Sequence, residues 1–224
     1  MHRFLAFVFM LLSAGAGAAD GQFDWGDLID PAAQTFDDPY RDLSYDQMEA
    51  LVTIVRMRTQ LSNAELPDSV RARIEVRLDK AEAALVAAGI DIDWLIAQRW
   101  VVAEKRKRAA SRGNPAVDGV EVLLAGFVIP APPDKNGTLT AYLVPERGMC
   151  SHMPPPPPNQ LIRIVASSLP EFQRMHEPVI VRGRLEAVES NRDVFVVDGP
   201  VPMWSAWTLN AENIEIVGRR EVDG

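Results

Sequence analysis

The chain has 224 residues, 47% hydrophobic and 24% charged, with a formal net charge of −8. That length supports one or two domains with a packed core, and that balance excludes an intrinsically disordered chain. The acidic surplus argues against nucleic acid as a partner, because phosphate binding draws on surplus lysine and arginine.

The first nineteen residues read as a separate object. His2 and Arg3 give a short basic start, residues 4–12 are an apolar run, and residues 13–19 are all Ser, Ala or Gly. This pattern predicts a secretory signal peptide over residues 1–19, cleaved after Ala18 or Ala19; its apolar run is too short to span a bilayer. No later stretch has the length of a transmembrane helix, so the expected location is periplasmic or secreted. Cleavage would remove Arg3 and no acid, and would leave His152 and His176 as the remaining histidines. In an oxidising compartment cysteines usually pair, yet Cys150 is the single cysteine. It is therefore a buried thiol, a metal ligand, a reactive thiol or an intermolecular link.

Residues 20–113 carry helical patterning and predict three helices. Trp25, Leu28 and Ile29 first suggest one helical turn that clips onto the main body through Trp25. Ser44 and Gln47 fit a capping box opening a helix over about residues 45–60. Val70, Ile74, Leu78, Ala81 and Leu85 form an apolar stripe on a second helix that starts near Asp68, with Gly89 suited to its C-terminal end. Asp91 can cap a third helix, whose first half holds Trp94, Leu95, Ile96, Trp100, Val101 and Val102 and is expected to be largely buried. It ends in Lys105, Arg106, Lys107 and Arg108, which complement the helix dipole at a solvated end or face an anionic surface.

From residue 117 the helical period gives way to short runs of Val, Ile and Leu broken by Gly, Pro and Asn. Strands are expected over residues 120–129 (bulged at Gly126), 139–144, 161–166, 178–188 and 194–197. Edge strands or a closing turn are expected over 204–209 and 214–217. The fold class is α+β: an N-terminal helical segment followed by a small OB-like antiparallel β-barrel over residues 117–224, with a β-sandwich as the alternative.

The chemistry concentrates between Gly148 and Gln160. Cys150 and His152 are two apart, so in an extended segment both side chains point to one side. Thiolate and imidazole are zinc ligands, and sulfur also suits Cu(I), for which Met149 and Met153 offer thioethers. His176 is the third candidate, with Glu146, Glu177 and Asp134 as possible oxygen ligands. The competing reading is structural, with Cys150 a small buried residue and His152 holding the turn by hydrogen bonds. Pro154, Pro155, Pro156, Pro157 and Pro158 favour polyproline II, ~15 Å long. With Asn159 and Gln160 they form either a partner-binding segment for an aromatic groove or a stiff strut within the chain. Asn159 and Gln160 are also suited to satisfying backbone groups that the prolines leave unpaired. No catalysis is expected: C-x-x-C and G-x-S-x-G are absent, and nothing marks a third group to orient a Cys–His pair.

The run Gly148-Met149-Cys150-Ser151-His152-Met153, followed by five prolines, Asn159 and Gln160, resembles the signature of an exported bacterial family, domain-of-unknown-function family 3299. Trp25 to Ile29, Gly126 to Pro130, and Leu143-Val144-Pro145 resemble further segments of it. The resemblance implies a periplasmic or cell-surface location and a small β-barrel. Its members are often encoded beside ABC-transporter components, some tied to zinc uptake. Two expectations follow. The first is an exported accessory protein that binds zinc, with copper as the lesser choice, through Cys150, His152 and His176, and serves an ABC-type transport system. The second is a metal-free module docking another envelope protein through its polyproline loop.

Overall fold

The computed structural model describes residues 23–63, 65–149, 156–172, 174–196 and 199–218, and the expected signal peptide lies outside them. The chain divides into a helical unit, Ile29–Asn114 with Pro157–Asn159, and a barrel unit, built from the residues up to Leu28, Pro115–Pro156 and the residues from Gln160 onward.

Local signals set the helix starts. Asp30 caps the single turn α1 (Pro31–Gln34) by accepting the Ala32 N–H. Ser44 and Gln47 make a reciprocal capping box at α2 (Tyr45–Leu61), satisfying two N–H groups that a helix start leaves unpaired. α3 (Asp68–Ala87) ends before Gly89, which adopts a left-handed φ of 73°, a conformation that costs glycine nothing. Asp91 caps α4 (Ile92–Ser111) through the Trp94 N–H. The unit thus has four helices rather than the three expected, the extra one being α1.

Leu51 and Ile54 of α2, Leu85 of α3, and Ile92 and Leu95 of α4 form the helical core. The first half of α4 departs from expectation. Ile92, Leu95 and Val102 are buried, but Trp94 is 47% exposed and Trp100 71%. Those two and Val101 lie away from the Ile92–Leu95 face, which is the one that joins the helical core. The basic run is partly structural: Arg106 donates from Nε (2.8 Å) and Nη2 (3.0 Å) to buried Asp38. Beside it the Tyr40 hydroxyl donates to the Leu95 carbonyl at 2.5 Å.

In the barrel unit, the 3-10 turn Trp25–Leu28 precedes the strands. Trp25 Nε1 donates to the Ala125 carbonyl at 2.8 Å, the clip expected of Trp25. The strands are β1 (Val120–Pro130), β2 (Leu139–Val144), β3 (Ile162–Ala166), β4 (Glu177–Glu186), β5 (Ser190–Val196), β6 (Gly199–Ser205) and β7 (Trp207–Ile216). Five of them close a barrel in the order β1-β2-β3-β7-β4, and β5 and β6 form a separate hairpin. The barrel is OB-like but mixed rather than antiparallel, because β3 and β7 run parallel. Residues 207–216, expected as two edge pieces, are one strand paired on both sides.

Alternation along each strand directs Val122, Leu124 and Val128, Ala141 and Leu143, Ile162 and Ile164, Val179, Val181 and Leu185, and Trp207 and Leu209 into one core, which Leu28 joins, as the two-residue strand period requires. The expected bulge at Gly126 is absent; its register with β4 is continuous. A Cβ there would lie 2.8 Å from the Val144 carbonyl oxygen, so close approach of β2 explains this glycine. The irregularity falls instead between Arg182 and Gly183, where β4 meets β7. A Cβ on Gly183 would lie 2.2 Å from the Asn210 carbonyl oxygen.

Asp38 yields a pH prediction. The hydrogen bonds from Arg106, foremost, hold its carboxyl below the ordinary carboxylate value. A carboxylate depressed in the folded state stabilises it above the unfolded pKa and loses that contribution as pH falls through the folded pKa. Asp38→Asn should therefore be less stable than wild type at pH 7, and the gap should narrow below about pH 4. Urea denaturation at both pH values followed by circular dichroism checks this.

Candidate functional site

The candidate segment leaves β2 at Val144 and returns at β3. Its first part is ordered by a tight turn: Gly148 takes a left-handed φ of 90°, and the Met149 N–H donates to the Glu146 carbonyl at 3.5 Å. Arg147 sits over the Phe127 ring, 5.6 Å from its centroid. Met149 packs on a second apolar cluster of the barrel unit: Ile129 of β1, Tyr142 and Val144 of β2, Leu161, Val194 of β5 and Met203 of β6. The hairpin β5–β6 thereby covers outward-facing side chains of β1 and β2.

Cys150, His152, Pro154 and Pro155 lie outside the described residues. The segment resumes at Pro156, which is buried, whereas Pro157 is exposed. Pro158–Gln160 is one 3-10 turn. In the helical unit, Asn159 is buried and its Nδ2 donates to the Ala109 carbonyl at 2.8 Å and the Arg112 carbonyl at 3.1 Å. The last carbonyls of a helix lack intrahelical partners, and Asn159 supplies donors to that end of α4. In the barrel unit, Gln160 Nε2 donates to the Trp25 carbonyl at 2.9 Å. Both amides therefore satisfy backbone groups, as their side-chain type suggests, but on segments far away in sequence.

His176 precedes β4. Its φ of 59° makes it the one non-glycine residue with positive φ among those described, a conformation that costs energy for a side chain bearing a Cβ. Its N–H donates to the Val128 carbonyl at 2.8 Å, which holds the backbone at the end of β1. Its Nε2 is buried with no hydrogen-bond partner among the described residues. Of the oxygen candidates, Glu146 is exposed and Glu177 is buried opposite Val128. Asp134 is occupied elsewhere: its Oδ1 accepts the Asn136 and Thr138 N–H groups, and its Oδ2 lies 3.3 Å from Arg163. Among the described residues no group of three or more His, Cys, Asp or Glu side chains could hold a metal ion.

The model of the family "Protein of unknown function (DUF3299)" matches residues 25–216. The chain belongs to that family. Among solved structures, it is similar to the crystal structure of a DUF3299 family protein from Pseudomonas aeruginosa PAO1, at 21% identity and a TM-score of 0.38, covering 50% of this chain and 74% of the other. No curated protein matches.

Asn159→Ala removes two donors from carbonyls at the end of α4. The expected cost is about 0.5–1.5 kcal/mol for each hydrogen bond, because Gln34 Nε2 and the Asp30 N–H still donate to the same two carbonyls. Chemical denaturation of the variant beside wild type measures it; a change indistinguishable from zero would show that these hydrogen bonds contribute nothing net.

Proposed function

We propose that this member of the DUF3299 family is an exported accessory protein that holds a transition metal, zinc first and copper second, on Cys150, His152 and His176, in the service of an ABC-type transport system. The observation that carries the metal is His176. A buried imidazole nitrogen with no hydrogen-bond partner among the described residues, on a backbone held in the left-handed region, is a polar group in want of a ligand. A thiolate with two imidazoles is a donor set that suits zinc. Position supports the same grouping. Met149, next to Cys150, packs in the cluster that includes Ile129, and His176 bonds the neighbouring Val128. The transport association rests on the family resemblance, and export rests on the N-terminal pattern of residues 1–19.

The docking alternative draws less support. Asn159 and Gln160 are engaged within their own units, and Pro156 is buried.

Elemental analysis of tag-free protein, purified without chelator and then supplied with zinc, tests the metal. Near one zinc per chain is expected for wild type, with loss in Cys150→Ser, His152→Ala and His176→Ala while circular dichroism stays unchanged. Absence of zinc and copper from wild type after both have been supplied would overturn the reading.

A further inference from the structure

The barrel unit carries a cleft of 470 Å³ between the β1–β2 turn and strand β5. That volume lies within the range of small-molecule sites. Pro132, Pro133 and Val194 give it apolar walls, with Tyr142 of β2 beneath, and Lys135, Asn191 and Arg192 bring polar groups to it. Tyr142 is almost wholly buried and closes the floor of the cleft.

Charge is unevenly matched here. Asp134 Oδ1 is taken by the N–H groups of Asn136 and Thr138, at 2.9 and 3.0 Å. That leaves Oδ2 facing two guanidinium groups, with Arg163 Nη2 at 3.3 Å and Arg192 Nη1 at 3.8 Å. One oxygen does not satisfy two planar forks of five donors each. Arg163 Nε is buried with no hydrogen-bond partner among the described residues. Arg192 stands beyond hydrogen-bond reach of Asp134 and its side chain is 36% exposed. Backbone N–H groups, that of Thr138 first, hold the Asp134 carboxyl below its ordinary value, so it remains a single fixed negative charge at neutral pH. Lys135, Arg163 and Arg192 outnumber Asp134 and Asp193, a local positive excess in a chain of net charge −8. The cluster is short of one acceptor, and Arg192 presents its donors at the cleft.

We infer that this cleft binds a small molecule bearing a carboxylate beside an apolar body. The carboxylate takes the bidentate fork of Arg192 with Lys135 at the lip, and the apolar body lies on Pro132, Pro133 and Val194. Arg163 is a positioning residue: its contact with Asp134 Oδ2 occupies the oxygen that would otherwise compete for Arg192. The site is independent of the metal proposed above, and none of its residues is a ligand there.

The test is a titration of the ¹⁵N-labelled full chain with N-benzoylglycine, its uncharged amide, and inorganic phosphate, followed by amide shifts. Saturable shifts confined to the β1–β2 turn and β5 are expected with N-benzoylglycine. The amide should bind about tenfold more weakly or worse, and Arg192→Met should cause a similar loss with the spectrum otherwise unchanged, as expected for a charge-assisted fork. Lys135→Met should weaken binding less. Asp134→Asn keeps an oxygen for the turn but removes the internal competitor, and should tighten binding. No saturable shift at millimolar N-benzoylglycine would overturn the proposal. So would equal binding of acid and amide, or indifference to Arg192→Met. Phosphate binding as tightly as N-benzoylglycine would reduce the site to one for an adventitious ion only.

Discussion

The barrel depends on β7 being paired along both edges. It runs parallel to β3 from Ile162↔Trp207 to Ala166↔Ala211, and antiparallel to β4 from Val179↔Ile216 to Glu186↔Thr208. Parallel neighbours cannot be joined by a tight turn, so the chain between β3 and β7 must travel. It does so through β4 and the β5–β6 hairpin. Closure removes free edges of the kind that would recruit another strand. It also places Trp207 and Leu209, both fully buried, in the core with Ile162 and Ile164. Gly183 is the local condition for it: only a residue without a Cβ admits the Asn210 carbonyl at that point of the β4–β7 seam.

The cleft of the barrel unit follows from that detour. The hairpin lays Val194 and Met203 over Ile129, Tyr142, Val144 and Leu161, making an apolar cluster outside the barrel. In OB-like barrels the outward face of the second and third strands is the usual ligand surface. Here the hairpin covers part of it and leaves a cleft beside β5. Met149, where the cysteine segment begins, packs on the same cluster. The entry to that segment is therefore held by burial rather than by its own turn alone.

Signals confined to a few residues were legible in the sequence. Ser44 with Gln47 and Asp91 each act on N–H groups within three residues, so type and spacing suffice to name their role. The apolar first half of α4 misleads for the opposite reason. Periodicity reports that Trp94 and Trp100 are apolar, but which face the unit covers is decided by α2 and α3. Gly126 and Gly183 look alike in sequence and both admit a close neighbouring carbonyl, yet only Gly183 lies at a register shift. Residues 204–209 and 214–217 read as edge strands or a closing turn because the pairing of 207–211 with β3 leaves no local trace. Asn159 and Gln160 were recognisable as donors to backbone, but Ala109, Arg112 and Trp25 are reached only through the fold. Nothing local joins Asp134, Arg163 and Arg192, which come from a turn and two separate strands.

His176 links the chemistry to this architecture. Its N–H bond to Val128 fixes it at the end of β1, and its Nε2, buried with no hydrogen-bond partner among the described residues, is the observation on which the metal reading rests. The most direct measurement is X-ray absorption at the zinc edge of the zinc-loaded protein, in wild type and His176→Ala. The account predicts one sulfur and two imidazole nitrogens around the metal in wild type, with one imidazole fewer around any zinc that the variant retains. A coordination shell without sulfur, or one that His176→Ala leaves unchanged, would contradict it.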